Sequence, residues 1–146
     1  EDVLAGPEIM DASVPSMNGF FTARSLAALY AALAGGGALG DVRLWSAETV
    51  AKIGEEQNNR RDLVLVVPMR WRLGYHRVMT SRGGAPNGFG HFGLGGSGAW
   101  ADPSRDLAIA MVCNRGGGTP VGDLRLMRLG AAAIASADRV TTTAAS

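Results

Sequence analysis

The sequence of 146 residues is poor in several residue types on which common folds and sites depend. It has one cysteine, Cys113, so no disulfide can form within the chain. Its two histidines lack the spacing to each other or to cysteines that metal sites show, and we expect neither a metal nor a cofactor. No apolar run approaches the ~20 residues that span a bilayer, and a net charge of +1 offers no basic surface for nucleic acid. What is present, 47% apolar residues, is enough for one compact domain.

Helical patterns occupy the first third and the end of the sequence. Thr22 is suited to cap a helix whose apolar residues recur at helical spacing until residues 35–37, which are all glycine. Ser46 is suited to cap a second, shorter helix. We expect a last helix to begin at residues 119–120, a Thr-Pro pair, and to give way to a disordered tail over residues 139–146.

Strand patterns fill the segment between these helices. Leu63 to Val67 is rich in β-branched residues, and residues 70–77 alternate between aromatic or apolar and basic side chains. We interpret the basic side chains and His76 as a solvated strand face, and not as an RNA-binding ribbon. Residues 81–90 contain three glycines before Gly90 and a proline, which predicts an exposed loop.

A hairpin is predicted further along the chain. Its strands are Ser97 to Ala101 and Leu107 to Cys113, joined by a turn at residues 102–106. Antiparallel strands flanked by helices indicate an α+β fold. The place of Cys113 in this apolar run favours a buried thiol over a reactive one.

Two short motifs in the glycine-rich segment match catalytic or binding patterns only formally. Residues 93–98 fit Gly-x-Gly-x-x-Gly, but a nucleotide fold needs a strand before that motif and a helix after it. Ser97 stands in a pattern one residue short of the nucleophile elbow, and no histidine follows His91. We therefore favour neither a nucleotide site nor a Ser97 nucleophile.

His91 differs from His76 because glycine-rich stretches flank it on both sides, where the backbone can approach a ligand closely. The sequence His91-Phe92-Gly93, followed by Gly95-Gly96, resembles the third active-site motif of the class C β-lactamase-like, or penicillin-binding-protein-like, serine hydrolases. That motif reads Lys-Thr-Gly in many members and His-x-Gly in related esterases and peptidases. Residues 18–33, 44–50, 101–103 and 111–115 are also similar to segments of that superfamily, so the resemblance covers nearly the whole chain.

The resemblance implies roles for the residues of this motif. His91 is expected to help activate a nucleophile or to bind the acyl or carboxylate group of the substrate, and the main-chain N–H of Leu94 to be one oxyanion-hole donor. Phe92, Gly93 and Gly95 are expected to contact the substrate. Phe92 replaces the usual small hydroxyl residue, which favours an esterase over a β-lactamase.

The resemblance also shows what this sequence lacks. Members carry a nucleophile in Ser-x-x-Lys and a second base in Tyr-x-Asn, whereas this chain has one lysine, Lys52, and neither motif. Because the chain also begins at Glu1 and not at methionine, we expect it to be the C-terminal portion of a longer protein and to be inactive alone. Residues 1–57 would end the helical substrate subdomain, residues 58–138 would form the sheet with its C-terminal helix, and residues 139–146 the tail.

Three functions follow as expectations from that reading. The first is a carboxylesterase that forms an acyl-enzyme with a small ester, and the second is a β-lactamase or D-Ala-D-Ala peptidase. The third is a catalytically silent relative that binds peptidoglycan or another protein. The expected partners are a small ester or β-lactam-like substrate and the missing N-terminal portion, and an exposed sheet edge could promote self-association.

Overall fold

A computed structural model describes residues 6–16, 19–82, 84–93, 95–114 and 124–144. Its central feature is a sheet of four antiparallel strands in the order β3-β4-β5-β6, with a separate two-stranded β1-β2 hairpin. The predicted α+β class is therefore confirmed. In chain order the elements are α1 (Pro7–Asp11), α2 (Ala23–Ala34), β1 (Ala38–Leu39), β2 (Val42–Arg43), α3 (Ala47–Gly54), β3 (His76–Arg77), β4 (Phe89–Phe92), β5 (Gly98–Asp102), β6 (Leu107–Met111) and α4 (Arg125–Ala144).

The two N-terminal helices that the sequence predicts begin where expected. The Thr22 hydroxyl accepts the main-chain N–H of Ser25, and the Ser25 side chain accepts the N–H of Thr22, which forms a capping box for α2. That helix ends at Gly35. Ser46 caps α3 in the same way by accepting the N–H of Thr49. None of the helices in the described ranges is long and apolar enough to cross a membrane.

The sheet has an apolar core on each face because side chains alternate along its strands. Ala99 and Ala101 of β5 pack in one cluster with Tyr30 and Leu33 of α2 and with Phe89 of β4. On the other face, Trp100 of β5 packs with side chains of α4 and of the neighbouring strand, namely Leu126, Ile134 and Ile109. Helices on both faces thus hold β4 and β5 at the centre of the molecule.

The hairpin between β5 and β6 confirms the predicted turn at residues 102–106. The two strands pair in antiparallel register from Gly98 with Met111 to Asp102 with Leu107. Asp102 is fully buried at the start of this turn and is held there by hydrogen bonds to Ser104 and Arg105. The strand ends at Met111, two residues before the predicted end, so Cys113 lies just beyond β6 and is half-buried where a buried thiol was expected.

The predicted strand from Leu63 to Val67 is wrong. The Asp62 carboxylate oxygen Oδ1 accepts the main-chain N–H groups of Val64 and Leu65, both at 2.8 Å, and closes a turn. Val66 in the same turn has φ +62°. Local hydrogen bonds to one aspartate therefore outweigh the β propensity of the apolar residues.

The predicted solvated face over residues 70–77 is wrong at two positions. Arg72 is 9% exposed and donates its guanidinium hydrogen bonds to the carbonyls of Gly54 and Pro86, at the end of α3 and in the loop before β4. His76 is 2% exposed. The two-residue pattern fails because the chain turns at Gly74, φ +77°, so only His76 and Arg77 form a strand.

Three other segments differ from the expectation or lie outside it. The expected loop over residues 81–90 is partly buried, since Ala85 and Gly88 are enclosed and β4 already begins at Phe89. The predicted helix start at residues 119–120 lies outside the described residues. Residues 139–144, assigned to a tail, continue α4, where hydroxyls of Thr141 to Thr143 donate to carbonyls one turn earlier. The three-part division of the chain stays a prediction.

Candidate active site

His91 lies in β4, where neighbouring glycines bring two strands close together. Its strand partner in β5 is Ala99. A Cβ on Gly90 would overlap the Ala99 carbonyl and Trp100, and a Cβ on Gly98 would lie 2.6 Å from the His91 carbonyl. Glycine is therefore required at residue 90 in β4 and at residue 98 in the neighbouring strand, and the close approach fixes the backbone from which the exposed His91 side chain projects.

Three aromatic rings lie around His91. Its ring centroid lies 5.3 Å from that of His76, 6.5 Å from that of Trp71 and 6.4 Å from that of Phe92. His76 and Phe92 are in an edge-to-face contact at 4.6 Å, and Trp71 meets His76 in a similar way at 5.9 Å. The imidazole of His91 is thus supported on one side by rings and open to solvent on the other.

Trp71 is anchored by the turn that follows residue 61. Its indole N–H donates to Oδ2 of Asp62 at 2.9 Å. Hydrogen bonds from the N–H of Leu65, from Trp71 and from the N–H of Val64 hold the pKa of the Asp62 carboxyl below its usual range. Asp62 therefore accepts as a carboxylate at neutral pH and sets the position of the indole ring beside His91.

Helix α2 reaches the same strand from the opposite side through Tyr30. Burial raises the pKa of the Tyr30 hydroxyl, the nearby Tyr75 raises it further, and a hydrogen bond with the main chain of His91 lowers it. The Tyr30 and Tyr75 rings meet edge to face at 6.0 Å. Tyr30 consequently stays a neutral phenol that packs the helix against the strand of His91.

The other predicted site residues are placed in different ways. The ring of Phe92 is half-buried and faces His76. The main-chain N–H of Gly93 donates to the Ser97 carbonyl at 2.7 Å, so this N–H closes the turn to β5. Gly95 is half-buried in that turn, and Leu94 lies outside the described residues. His91, Phe92, Gly93 and Gly95 are thus brought together at one end of β4.

Ser97 has a structural partner that accounts for its hydroxyl. The main-chain N–H of Cys113 donates to the Ser97 Oγ at 2.9 Å, which joins the turn after β4 to the end of β6. This agrees with the interpretation of Ser97 as a small residue in a tight strand. No group of three His, Cys, Asp or Glu side chains in the described ranges is arranged to hold a metal ion.

A small cavity lies behind the His91 ring. Its volume is about 20 Å³, and its walls include His76, His91, Phe92, Gly96, Trp100 and Leu126. Burial lowers the pKa of the His76 imidazole in this wall to about 4, so His76 is neutral at physiological pH. The arrangement combines an exposed imidazole, a buried neutral imidazole and an apolar wall.

Sequence reasoning found His91 but missed His76, Trp71 and Asp62. The glycines on either side of residue 91 were a visible signal, because they permit close backbone approach. Asp62 is a second visible signal, because an aspartate whose side chain accepts the N–H groups two and three residues later is typical of a turn. The burial of His76 had no local signal, since its strand partner Gly90 and two of its ring neighbours, His91 and Phe92, belong to β4.

Comparisons with known proteins find related sequences and structures. A sequence model described as Beta-lactamase matches residues 2–134 of the chain. The chain is 44% identical over 110 residues to the Esterase/beta-lactamase LipL of Mycobacterium tuberculosis (strain ATCC 25618 / H37Rv), an alignment that covers 73% of this chain and 25% of that protein.

Two solved structures are similar as well. One is a family VIII carboxylesterase, with a TM-score of 0.65 and 38% identity over 71% of this chain and 28% of that one. The other is a penicillin-binding protein homologue from Caulobacter crescentus, with a TM-score of 0.73 and 38% identity over 82% of this chain and 33% of that one. The chain thus spans between a quarter and a third of the length of these relatives.

Proposed function

Because the chain belongs to the beta-lactamase family, we propose that it forms one wall of the active site of a serine hydrolase of the carboxylesterase type. The observation that carries the proposal is the exposed imidazole of His91, held at the end of a buried strand by glycines that exclude any Cβ. A family VIII carboxylesterase and an esterase/beta-lactamase among the relatives support the same reaction class.

The proposed mechanism is acyl transfer from a small ester to a serine, which releases the alcohol, and then from the serine to water, which releases the carboxylic acid. His91 would accept or donate a proton at the nucleophile, or hold the acyl group, from the open side of its ring. The N–H of Leu94 would donate to the oxyanion, a contact worth about 3 kcal/mol in the transition state when such a donor is preorganised. Phe92, Gly93 and Gly95 would line the substrate side of this wall.

Phe92 supports an esterase over the β-lactam alternatives. Its ring has no hydroxyl that could bind the carboxylate of a β-lactam or of a D-Ala-D-Ala peptide, and it turns towards His76. An ester substrate needs no carboxylate contact at this position. The alternatives are a β-lactamase or peptidase and a silent binding protein, and the following experiment tests the esterase against them.

The test uses the complete gene product, assayed with a p-nitrophenyl ester and with nitrocefin. We expect ester turnover to exceed nitrocefin turnover, and His91→Ala to lower kcat/KM for the ester by about 10²- to 10³-fold. Arg60→Ala, which removes an exposed cation from the loop before Asp62, is the matched control and keeps the wild-type rate. Equal ester rates for His91→Ala and the wild type would contradict the proposal, and turnover of neither substrate would leave a binding role.

The nucleophile is proposed to lie in polypeptide outside this sequence, as expected from the missing Ser-x-x-Lys. A fluorophosphonate probe should label a serine in the complete gene product and none in the 146-residue chain. Labelling of the chain itself, for example at Ser97, would contradict this part of the proposal.

The same polypeptide is proposed to cover the outer edge of β6. Among the described residues β6 pairs with β5 alone, so its other edge presents main-chain groups without a strand partner. We expect the chain alone to self-associate through this edge, measured by size-exclusion chromatography with light scattering. A stable monomer at high concentration would contradict this expectation.

A further inference from the structure

The buried imidazole of His76 has one nitrogen whose hydrogen-bonding capacity is unused. Its Nδ1 lies 2.8 Å from the main-chain carbonyl of Arg77. Since a carbonyl oxygen only accepts, Nδ1 carries the proton, and Nε2 is left with a lone pair. Nε2 is buried and has no hydrogen-bond partner among the described protein groups. Buried polar atoms are nearly always bonded, so this one points to a partner that is not part of the described chain.

The cavity that His76 lines has the size for a single water molecule. A volume of about 20 Å³ exceeds the ~10–15 Å³ that one water needs. A buried water also needs two to four polar neighbours. His76 and His91 both line the cavity, as does Trp100, whose buried indole N–H likewise has no partner among the described residues.

The two imidazoles are close enough for one water to contact both. Their centroids are 5.3 Å apart with an angle of 55° between the ring planes, and Nε2 of His76 makes no direct hydrogen bond to His91. A water that donates one hydrogen to Nε2 of His76 keeps both lone pairs, so it can accept from an N–H of His91, and this is the arrangement that we expect. In a neutral histidine, a hydrogen bond at one ring nitrogen decides which nitrogen carries the proton.

We propose that His76 is a positioning residue for His91: through one water in this cavity, its Nε2 fixes which nitrogen of the His91 ring is protonated. The other His91 nitrogen then presents its lone pair to the open side of the site. His91 would be held in one tautomer and one orientation, as a metal-binding histidine is by the group that hydrogen-bonds to its second ring nitrogen. The catalytic meaning of this arrangement rests on the proposed hydrolase function, whereas the tautomer itself does not.

The test is the tautomer of His91, read from long-range proton–nitrogen NMR spectra of the ¹⁵N-labelled chain. The sequence has two histidines, so each variant at residue 76 assigns both rings. At about pH 8, above the ordinary imidazole pKa of about 6.5, we expect His76 to be protonated at Nδ1 and His91 to occupy a single tautomer.

Two substitutions at residue 76 separate the acceptor from the ring. His76→Phe keeps an aromatic ring in the buried position but removes the acceptor, and should leave His91 as a mixture of both tautomers. His76→Gln restores an acceptor and should return His91 towards the single tautomer. Tyr75→Phe, which removes a polar group from the preceding residue, is the control and should leave the His91 signals unchanged.

Two results would overturn the proposal. The first is a His91 tautomer ratio in a folded His76→Phe that equals that of the wild type. The second needs no variant: a wild-type His76 protonated at Nε2 has no lone pair to offer at that nitrogen.

An activity measurement keeps this proposal distinct from the proposed function. In the complete gene product, we expect His76→Phe to lower kcat for the ester about 10-fold with little change in KM, and His76→Gln to recover most of it. An unchanged kcat in His76→Phe would overturn the role of His76 in catalysis. Absence of ester turnover in the wild type would contradict the hydrolase assignment alone, because the tautomer experiment stands without it.

Discussion

Two buried polar side chains of the same sheet, Asp102 and His76, are bonded in very different ways. Asp102, at the end of β5, is 0% exposed, and both of its oxygens are occupied. The N–H and hydroxyl of Ser104 donate to Oδ1, and the Arg105 guanidinium donates to Oδ2 at 2.7 Å. His76, in β3, is 2% exposed, and only its Nδ1 is bonded.

The difference separates a structural polar group from one that we propose to be functional. A buried charge is tolerated when every lone pair is satisfied, as in the hairpin turn of Asp102. A buried imidazole with a free nitrogen is costly unless something else binds there, and His76 lies beside the exposed His91. The end of the sheet with Asp102, where both carboxylate oxygens are hydrogen-bonded, stabilises the fold. We propose that the chemistry takes place at the end with His76, where one ring nitrogen has no partner.

The largest expected effect comes from Asp102. Asp102→Asn keeps the shape but turns an amide N–H₂ group towards Arg105 or Ser104, so a buried ion pair is lost. Breaking such a pair costs about 3–5 kcal/mol, which we expect as the loss in free energy of unfolding measured with urea.

The same turn provides a control. Asp106→Asn removes the same charge from an exposed position, and asparagine tolerates the left-handed backbone at φ +47° there. We expect its free energy of unfolding to stay within about 0.5 kcal/mol of the wild type. Equal losses for the two variants would show that Asp102 is not the structural group described above.

The second largest effect is the pH dependence that His76 imposes. Burial lowers its folded pKa to about 4, below the unfolded value of about 6.5, so between these values the unfolded chain binds more protons. Stability from this group is complete above about pH 6.5 and is lost as the pH falls towards 4, by about 2–3 kcal/mol. Urea unfolding of the wild type at several pH values should show this loss, and His76→Phe should flatten it. A parallel pH dependence in both proteins would contradict the burial of a neutral His76.

Several features of the fold show how much of it local sequence patterns can predict. The turn at residues 102–106, the cap at Thr22 and the end of α2 at Gly35 depend on neighbours in sequence, and all were predictable. The burial of Arg72 depends on carbonyls of Gly54 and Pro86, which lie 18 and 14 residues away in sequence. No local pattern contains such partners, so the sequence alone does not reveal that Arg72 is buried.

Residues of the candidate site also differ in whether their surroundings come from nearby or from distant parts of the sequence. His91 was predictable because the glycines around it are adjacent in sequence. His76 and Trp71 were not, because their value comes from ring contacts with a strand that follows more than ten residues later. The turn at Asp62 has a local signal in the aspartate itself, but the β propensity of the apolar run that follows predicts a strand instead.

A smaller effect is expected at the far side of Arg105. Its Nε donates to Oδ1 of Asp138 in α4 at 2.7 Å, and this hydrogen bond lowers the pKa of the Asp138 carboxyl. The stabilisation is present above the unfolded carboxyl pKa of about 3.9 and is lost as the pH falls below it. Asp138→Asn should be less stable than the wild type at pH 7, far less so than Asp102→Asn, because this pair faces solvent.

The pH and salt dependence check this expectation. The urea midpoints of Asp138→Asn and the wild type should converge towards pH 3 and in high salt, where the ion pair is neutralised or screened. A gap that persists under both conditions would mean that Asp138 stabilises α4 through its packing.

The smallest expected effect is confined to the ring beside His91. In Asp62→Asn, the amide oxygen can still accept the N–H groups of Val64 and Leu65, but the amide N–H₂ then meets the indole N–H of Trp71. Turning the amide over would place N–H₂ against two N–H donors, so the turn is kept and the Trp71 anchor is lost. We expect unchanged unfolding midpoints, a shifted indole N–H signal for Trp71 and altered ring signals for His91. Asp62→Ala, which removes the turn as well, should shift the Val64 and Leu65 amides too. If the His91 signals move only in Asp62→Ala, the loop and not the indole positions that ring.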